Sequence, residues 1–414
     1  MTTAVQQREL FGHPLGLYVC FFTEMWERFS FYGMKALLFL YLTKYHLFGD
    51  DPSYDLLGAY GGLVYAIPVI GGMLADRYLG MRKAVVLGGL LLVAGHLGMA
   101  FEGHAATRID GVVMRDDGAL QIFYFSLALI IMGVGFLKPN ISTIVGKLYP
   151  DNDPRRDSGF TLFYAGINLG ALFSSLICAY LGETYGWKYG FGAAGIGMLA
   201  GLVVFITGQK YLAGHAEPND PEKLKQKLFG PLSREHVIYL GSLVGVGVIW
   251  QLIQHTWTVH GVMHLVALAF VSWFIWFLAN RCSKVQREQM LALVLIIVFC
   301  LLFFTLYEQT YGSWVAFTDR LLTKDLFGAV AVSADPIFPW SVVPLIVLPF
   351  AAIISLYLTE KGSKLGGPII VVSSIALVAC LIRDLAVVPQ TAGSLTFLGA
   401  FFIVALSPIF TWLW

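Results

Sequence analysis

The chain has 414 residues, of which 57% are hydrophobic and only 13% are charged, and its formal net charge is +1. A soluble domain carries about twice that share of charged residues, so these figures exclude an ordinary water-soluble protein. They also give no sign of a nucleic acid or another strongly charged partner. The mean hydropathy of +0.72 fits a chain whose surface mostly faces an apolar medium.

Twelve apolar stretches are long enough to cross a bilayer, which takes about 20 helical residues. Helices are expected, because an unpaired strand cannot satisfy its backbone hydrogen bonds in lipid. The first six predicted spans are 15–43, 55–75, 83–102, 120–147, 158–182 and 189–211. The other six are 236–256, 258–280, 290–318, 338–358, 367–388 and 394–414. The sequence therefore predicts an all-α polytopic membrane protein.

Basic residues accumulate in alternate loops, namely those after the second, fourth, sixth, eighth and tenth spans. Arg77 and Lys83 are examples from the first of these loops, whereas the intervening loops are acidic or mixed, as at Asp50 and Asp51. Cytoplasmic loops of membrane proteins carry an excess of Lys and Arg. We therefore expect the N-terminus and all of these basic loops to lie in the cytoplasm.

A polar linker over 212–235 separates the first six spans from the others, and four of its residues from Lys223 to Arg234 are basic. One interpretation is a solvated loop without further role. We favour a hinge between two helical bundles, because many transporters rock one bundle against another.

The first span carries ionisable residues well inside its apolar sequence. Glu24 and Arg28 are four residues apart, Glu27 lies between them, and Tyr32 and Lys35 continue the same helix face. A charge at the centre of a membrane costs several kcal/mol unless it faces partners or water. One alternative is a salt-bridge network that only holds helices together. We favour a transport path, because two glutamates beside one arginine leave a surplus carboxyl group that can bind a proton.

Two further ionisable residues lie inside predicted spans. Lys138 precedes Pro139 in the fourth span, where we expect the proline to break the helix beside a cavity. Glu308 follows a long apolar run in the ninth span. The alternative for both is a side chain near a helix end that reaches the membrane interface.

Several stretches of the first half carry a family resemblance. They are the Glu24-x-x-Glu27-Arg28 motif, the Gly72–Lys83 loop, and the segments Phe136–Ser142, Asp153–Asp157 and Gly159–Gly170. Together they closely resemble the proton-dependent oligopeptide transporters, a branch of the major facilitator superfamily. Glu308 and Gln309 resemble a motif of the family's seventh helix more loosely. Phe31 departs from the pattern, since a tyrosine is common at its position.

The resemblance implies a major facilitator fold of two helical bundles, with an extra helical pair inserted between them. The expected order is a six-helix bundle over 1–211, the cytoplasmic linker 212–235, an inserted hairpin over 236–281 and a C-terminal bundle over 282–414. We expect this last bundle to be incomplete and to contain a further hairpin at about 338–388. The final span, including Pro408, would then correspond to the family's eighth helix.

The resemblance also implies roles for individual residues. Proton coupling is expected at Glu24, Glu27, Arg28 and Glu308. Substrate binding is expected at Arg28, Tyr32, Lys35, Tyr65, Lys138, Asn168 and Glu308. Conformational gating is expected at Asp76, Arg77 and Arg82. Arg28 and Lys138 would lie near the carboxylate of a bound peptide, and Glu308 near its amino terminus.

The predicted function is therefore proton-coupled symport of di- and tripeptides by alternating access, in a monomer of the bacterial inner membrane. We expect no enzymatic activity, cofactor or metal, since the five cysteines are scattered and no catalytic or metal-ligand spacing occurs. Short peptides, protons and the lipid bilayer are the expected partners. Two alternatives remain open: a carrier of another small solute, such as a drug or nitrate-like anion, and a membrane receptor that transports nothing.

Overall fold

A computed structural model describes residues 9–212, 214–322, 338–387 and 390–403. Helices make up most of them. The helices up to the linker are α1 Leu15–Leu40, α2 Asp50–Leu74, α3 Met81–Met99, α4 Asp117–Lys147, α5 Arg155–Ser174, α6 Tyr180–Tyr185 and α7 Trp187–Gly208. Those after it are α8 Pro221–Lys225, α9 Arg234–Gln254, α10 Thr256–Arg281, α11 Lys284–Glu308, α12 Ser313–Leu321, α13 Val342–Glu360 and α14 Gly366–Val387.

Apart from 290–318, the predicted spans coincide with these helices wherever the structure describes them. Ten described stretches are long and apolar enough to cross a membrane, judged by length and composition. α1 is not among the ten, and it carries four charged residues, but its 26 residues make it about 39 Å long. For the last predicted span, 394–414, only residues up to 403 are described, and these include a helical stretch over Ser394–Ile403. Pro408 lies outside the described residues.

Helix α1 is the centre of the packing in the first half. It contacts α5 and α7 along its length, while α3 packs against α4 and α7, and α2 packs against α4. All of α1 except Phe21 and Tyr32 is buried. Its four charged side chains therefore face protein on every side.

Small residues allow α5 to lie very close to α1. A Cβ atom on Gly170 would lie 2.2 Å from the Met25 carbonyl oxygen, and one on Gly166 would lie 3.2 Å from that of Phe21. Four-residue spacing of small residues is a common means of close helix approach in membranes. Gly166 and Gly170 therefore act in helix packing.

The helices after the linker pack against the outside of the first-half helices. α9 packs against α4 and α10 against α2, whereas α13 and α14 form a pair of which α13 contacts α7. No residue of α11 is buried. α11 therefore has a long apolar surface that none of the described residues covers.

Two sequence expectations about helix continuity are wrong. α4 runs unbroken from Asp117 to Lys147 with Pro139 inside it. A proline removes only one backbone donor, the one that would bond to the Gly135 carbonyl oxygen, and α4 packs closely against both α2 and α3. The span 290–318 is instead interrupted, because α11 ends at Glu308 and α12 begins after Gly312.

Three short antiparallel hairpins lie outside the helices, the first before α1 and the other two between helices. They pair β1 Glu9–Leu10 with β2 His13–Pro14, β3 Thr107–Ile109 with β4 Val112–Met114, and β5 Lys227–Phe229 with β6 Leu232–Ser233. Asp110 and Gly111 join β3 to β4, and both have positive φ. This is the conformation that Asp-Gly favours in a two-residue hairpin turn.

Candidate functional site

Arg28 and two glutamates form a buried cluster on α1. Arg28 Nε lies 2.8 Å from Glu24 Oε1 and 2.6 Å from Glu27 Oε2. The side chains are 4% exposed or less. The spacing of four residues places Glu24 and Arg28 on one helix face, and Glu27 reaches the same nitrogen from the preceding position.

This cluster leaves polar atoms without partners. Among the described residues, Arg28 Nη2, Glu24 Oε2 and Glu27 Oε1 are buried and accept or donate no hydrogen bond. A buried polar group without a partner is costly. The guanidinium nitrogen is suited to a carboxylate, and the carboxylate oxygens are suited to a proton or water.

A second cluster joins the first half of the chain to α11. Lys35 Nζ donates a hydrogen bond to Glu308 Oε2, and Tyr65 Oη donates one to Glu308 Oε1 at 3.4 Å. Lys35 is 7% exposed. The ring of Tyr311 lies 4.7 Å from Lys35 Nζ and stacks on Tyr32 at 5.7 Å. Tyr311 was not predicted from the sequence, although it lies only three residues after Glu308.

Lys138 connects the two clusters through Tyr65. Its Nζ atom lies 4.8 Å from the centre of the Tyr65 ring. Lys138 also lies within electrostatic range of Arg28 and Glu27. In the part of the chain that is described, no carboxylate lies within ion-pair distance of Lys138 Nζ, which leaves this cation available to an anionic ligand.

Phe31 occupies the space between the cations of α1. Arg28 Cζ lies 5.5 Å and Lys35 Nζ 5.8 Å from the centre of its ring. The ring also stacks on Tyr60 at 6.4 Å. A phenylalanine here keeps cation–π contact with both charges but supplies no hydroxyl group.

The remaining predicted binding and gating residues are placed differently. The Asn168 amide donates to the Tyr164 carbonyl oxygen in its own helix, at 3.0 Å. Arg82 forms a bidentate pair with Glu217, at 2.5 and 3.0 Å. The Asn219 side chain donates to the backbone oxygen of Asp76 at 2.9 Å, and Arg77 is exposed. The structure thus ties Arg82 to the linker through Glu217.

Two further ion pairs lie where α1 ends and α2 begins. Arg320 binds Asp50 through two contacts of 2.7 Å, and Lys44 lies 2.6 Å from Asp319. Both pairs attach the end of α12 to the first helices, on the same side of the molecule as the Lys35–Glu308 contact. The sequence analysis did not identify them, because the partners are about 270 residues apart.

The described residues contain no group of three or more His, Cys, Asp or Glu side chains that could hold a metal ion. The chemistry that the site offers is therefore that of charges, hydroxyl groups and proton-binding carboxylates.

Comparison with known proteins decides the family. The model of the POT family matches residues 82–377, which is more than half of the chain. The chain belongs to the POT family. It is 35% identical over 376 residues to an uncharacterized transporter, YclF, of Bacillus subtilis, covering 87% of this chain and 71% of that relative. It is 30% identical over 363 residues to the peptide transporter YePEPT of Yersinia enterocolitica, covering 81% and 68%.

A solved POT structure shows the same fold. The peptide transporter POT in complex with alafosfalin matches with a TM-score of 0.66 and 29% identity, over 99% of this chain and 70% of that one. The predicted all-α, major facilitator type of fold is confirmed. As a POT family member, the chain is a multi-pass membrane transporter and not an enzyme.

Proposed function

We propose that this POT family member imports di- and tripeptides by proton-coupled symport across the bacterial inner membrane. Two observations on the described residues carry the proposal. The buried Arg28 Nη2 atom has no hydrogen-bond partner among them, and none of their carboxylates lies within ion-pair distance of Lys138. Together these two cations would bind the carboxylate of a peptide. The peptide transporter among the relatives supports this cargo.

The amino terminus of the peptide would bind at Glu308. That carboxylate already accepts hydrogen bonds from Lys35 and Tyr65, so a peptide ammonium would replace the ammonium of Lys35. Tyr32 and Asn168 would line the same cavity. A cargo oriented by its two termini and its backbone leaves its side chains loosely specified.

Charge balance supplies the coupling between peptide and proton. Glu24 and Glu27 together balance Arg28 and Lys138. The peptide ammonium binds apart from them at Glu308, so the peptide carboxylate adds one uncompensated negative charge to this cluster. Uptake of one proton by Glu24 or Glu27 would restore neutrality. One charge that moves through 100 mV contributes about 2.3 kcal/mol, which is roughly fifty-fold accumulation.

Alternating access would move two helical bundles about this site. We assign the first bundle to 1–211, the linker to 212–235, the inserted hairpin to 236–281 and the second bundle, with its further hairpin at 338–388, to 282–414. The N-terminus and the basic loops would lie in the cytoplasm. Asp76, Arg77 and Arg82 would then gate the cytoplasmic side, and Lys35–Glu308 the outer side. The charged site uses residues of a single chain, which suffices for a monomer.

Uptake of labelled di-alanine into proteoliposomes tests the function. We expect accumulation when a proton gradient is imposed and only equilibration without one. Uptake that is indifferent to the gradient would exclude symport. No specific di-alanine uptake, but transport of a drug or of nitrate, would assign another cargo to the same scaffold, and an absence of any transport would favour a receptor.

A further inference from the structure

A polar cavity of roughly 670 Å³ lies where α4 ends and α5 begins. Its lining includes the basic residues Lys147, Arg156 and His215, the hydroxyl groups of Ser142 and Thr143, and one acidic residue, Asp151. The loop between α4 and α5 is one of the basic loops that we place in the cytoplasm. This cavity is separate from the Arg28 and Glu308 clusters, and no role described above involves it.

The cavity continues the face of α4 that carries Lys138. Ser142 and Gly146 follow Lys138 at intervals of four residues, and both line the cavity. Residues four apart share one helix face. Lys147, nine residues after Lys138, therefore lies about 13 Å further along the same helix.

The opposite wall continues the face of α5 that carries Asn168. Tyr164, Phe160 and Arg156 precede Asn168 at intervals of four residues. Phe160 and Arg156 line the cavity. Two helix faces thus lead from the candidate peptide site to this cavity.

The cations of the cavity are free to bind an anion. Among the described residues, neither Arg156 nor Lys147 has a carboxylate within ion-pair distance, and the Arg156 guanidinium lies 6.0 Å from the Phe160 ring centre. The adjacent Arg155 differs, because it bonds to Asp153 and Glu9. Two consecutive arginines therefore have separate roles: Arg155 holds the loop, whereas Arg156 faces the cavity.

We propose that this cavity is a release site, which binds the carboxylate of the peptide after it leaves Arg28 and Lys138. The inference rests on the proposed peptide transport. Cations in an open, hydrated cavity hold a carboxylate more weakly than buried ones do, since water screens the attraction. The carboxylate would pass from a tight site to a weak one before it enters the cytoplasm.

The test compares the two faces of the transporter. Intact cells present di-alanine to the outer face, and inverted membrane vesicles present it to the cytoplasmic face. For the double variant Arg156→Gln/Lys147→Gln we expect KM at the cytoplasmic face to rise about fivefold, the value of two exposed charge contacts. KM at the outer face should rise much less. The conservative pair Arg156→Lys/Lys147→Arg should restore the wild-type KM at the cytoplasmic face.

Lys227→Gln is the matched control, because Lys227 is an exposed cytoplasmic cation outside the cavity. It should leave both KM values unchanged. If the wild type transports di-alanine but the double variant has the same KM at the cytoplasmic face, the release site is wrong and the proposed transport function stands. An equal rise in KM at both faces would also overturn the release site. An effect of the double variant that appears in proteoliposomes only when phosphatidylglycerol is present would overturn it too, and would assign the cavity to lipid headgroups. A wild type without peptide transport would instead remove the proposed function.

Discussion

Lys35, near the end of α1, donates a hydrogen bond to Glu308, the last residue of α11. The two residues are 273 positions apart in the chain. Their contact joins the first half of the chain to α11, and in the proposed transport cycle it would break and form again.

Charge reversal tests this contact. We expect Lys35→Glu and Glu308→Lys each to lower gradient-driven di-alanine uptake by at least about tenfold, since each places like charges together in a mostly buried site. The double variant Lys35→Glu/Glu308→Lys should regain part of that loss, and contacting residues of this kind couple by about 0.5–3 kcal/mol. Additive losses in the double-mutant cycle would show that the two residues act independently.

Replacement of Glu24 and Glu27 tests the proton site. In Glu24→Gln/Glu27→Gln, Arg28 loses both anionic partners, and no carboxylate remains beside it to take up a proton. We expect gradient-driven accumulation to be lost, while peptide exchange without a gradient continues at a reduced rate. Glu235→Gln changes a carboxylate that pairs with Lys83 outside the site and serves as control. Full accumulation in the Glu24/Glu27 variant would overturn the coupling assignment.

Gly170→Ala tests the close approach of α5 to α1. The new methyl group would lie 2.2 Å from the Met25 carbonyl oxygen and 3.0 Å from the Phe29 nitrogen. Both are backbone atoms, so the helices must separate, and we expect a loss of about 1–3 kcal/mol in stability. Thermal unfolding in detergent measures it. Gly61→Ala meets no atom within 4 Å and should unfold like the wild type.

Asp116 links pH to the stability of α4. Its carboxylate accepts hydrogen bonds from the backbone nitrogens of Ala119 and His104, at 3.0 and 3.1 Å, and these bonds lower the pKa of Asp116 to about 2. Because the pKa is lower in the folded state, the Asp116 carboxylate stabilises the fold at pH values above its ordinary pKa of about 3.9. That contribution is lost as the pH falls through the pKa of the folded state. We therefore expect the stability difference between wild type and Asp116→Ala to shrink between about pH 4 and pH 2.

Asp116→Asn is the control for this titration. It keeps an oxygen that can cap the helix but has no proton to bind in that range. Its stability relative to Asp116→Ala should not change over the same acidic interval. If the stability of Asp116→Asn relative to Asp116→Ala falls in the same way as that of the wild type, the pH effect belongs to another group.

The sequence alone determined the membrane class, the helices and the charged face of α1. These follow from local composition: apolar length sets a span, and four-residue spacing sets a face, so Glu24, Arg28 and Lys138 could be identified one helix at a time. Neither rule describes a contact between distant segments. Only the tertiary structure paired Lys35 with Glu308, Arg320 with Asp50 and Arg82 with Glu217. It also stacked the Tyr311 ring on that of Tyr32. Pro139 shows the same limit, because α4 continues through the proline where it is packed against α2 and α3, and the local sequence does not describe that packing.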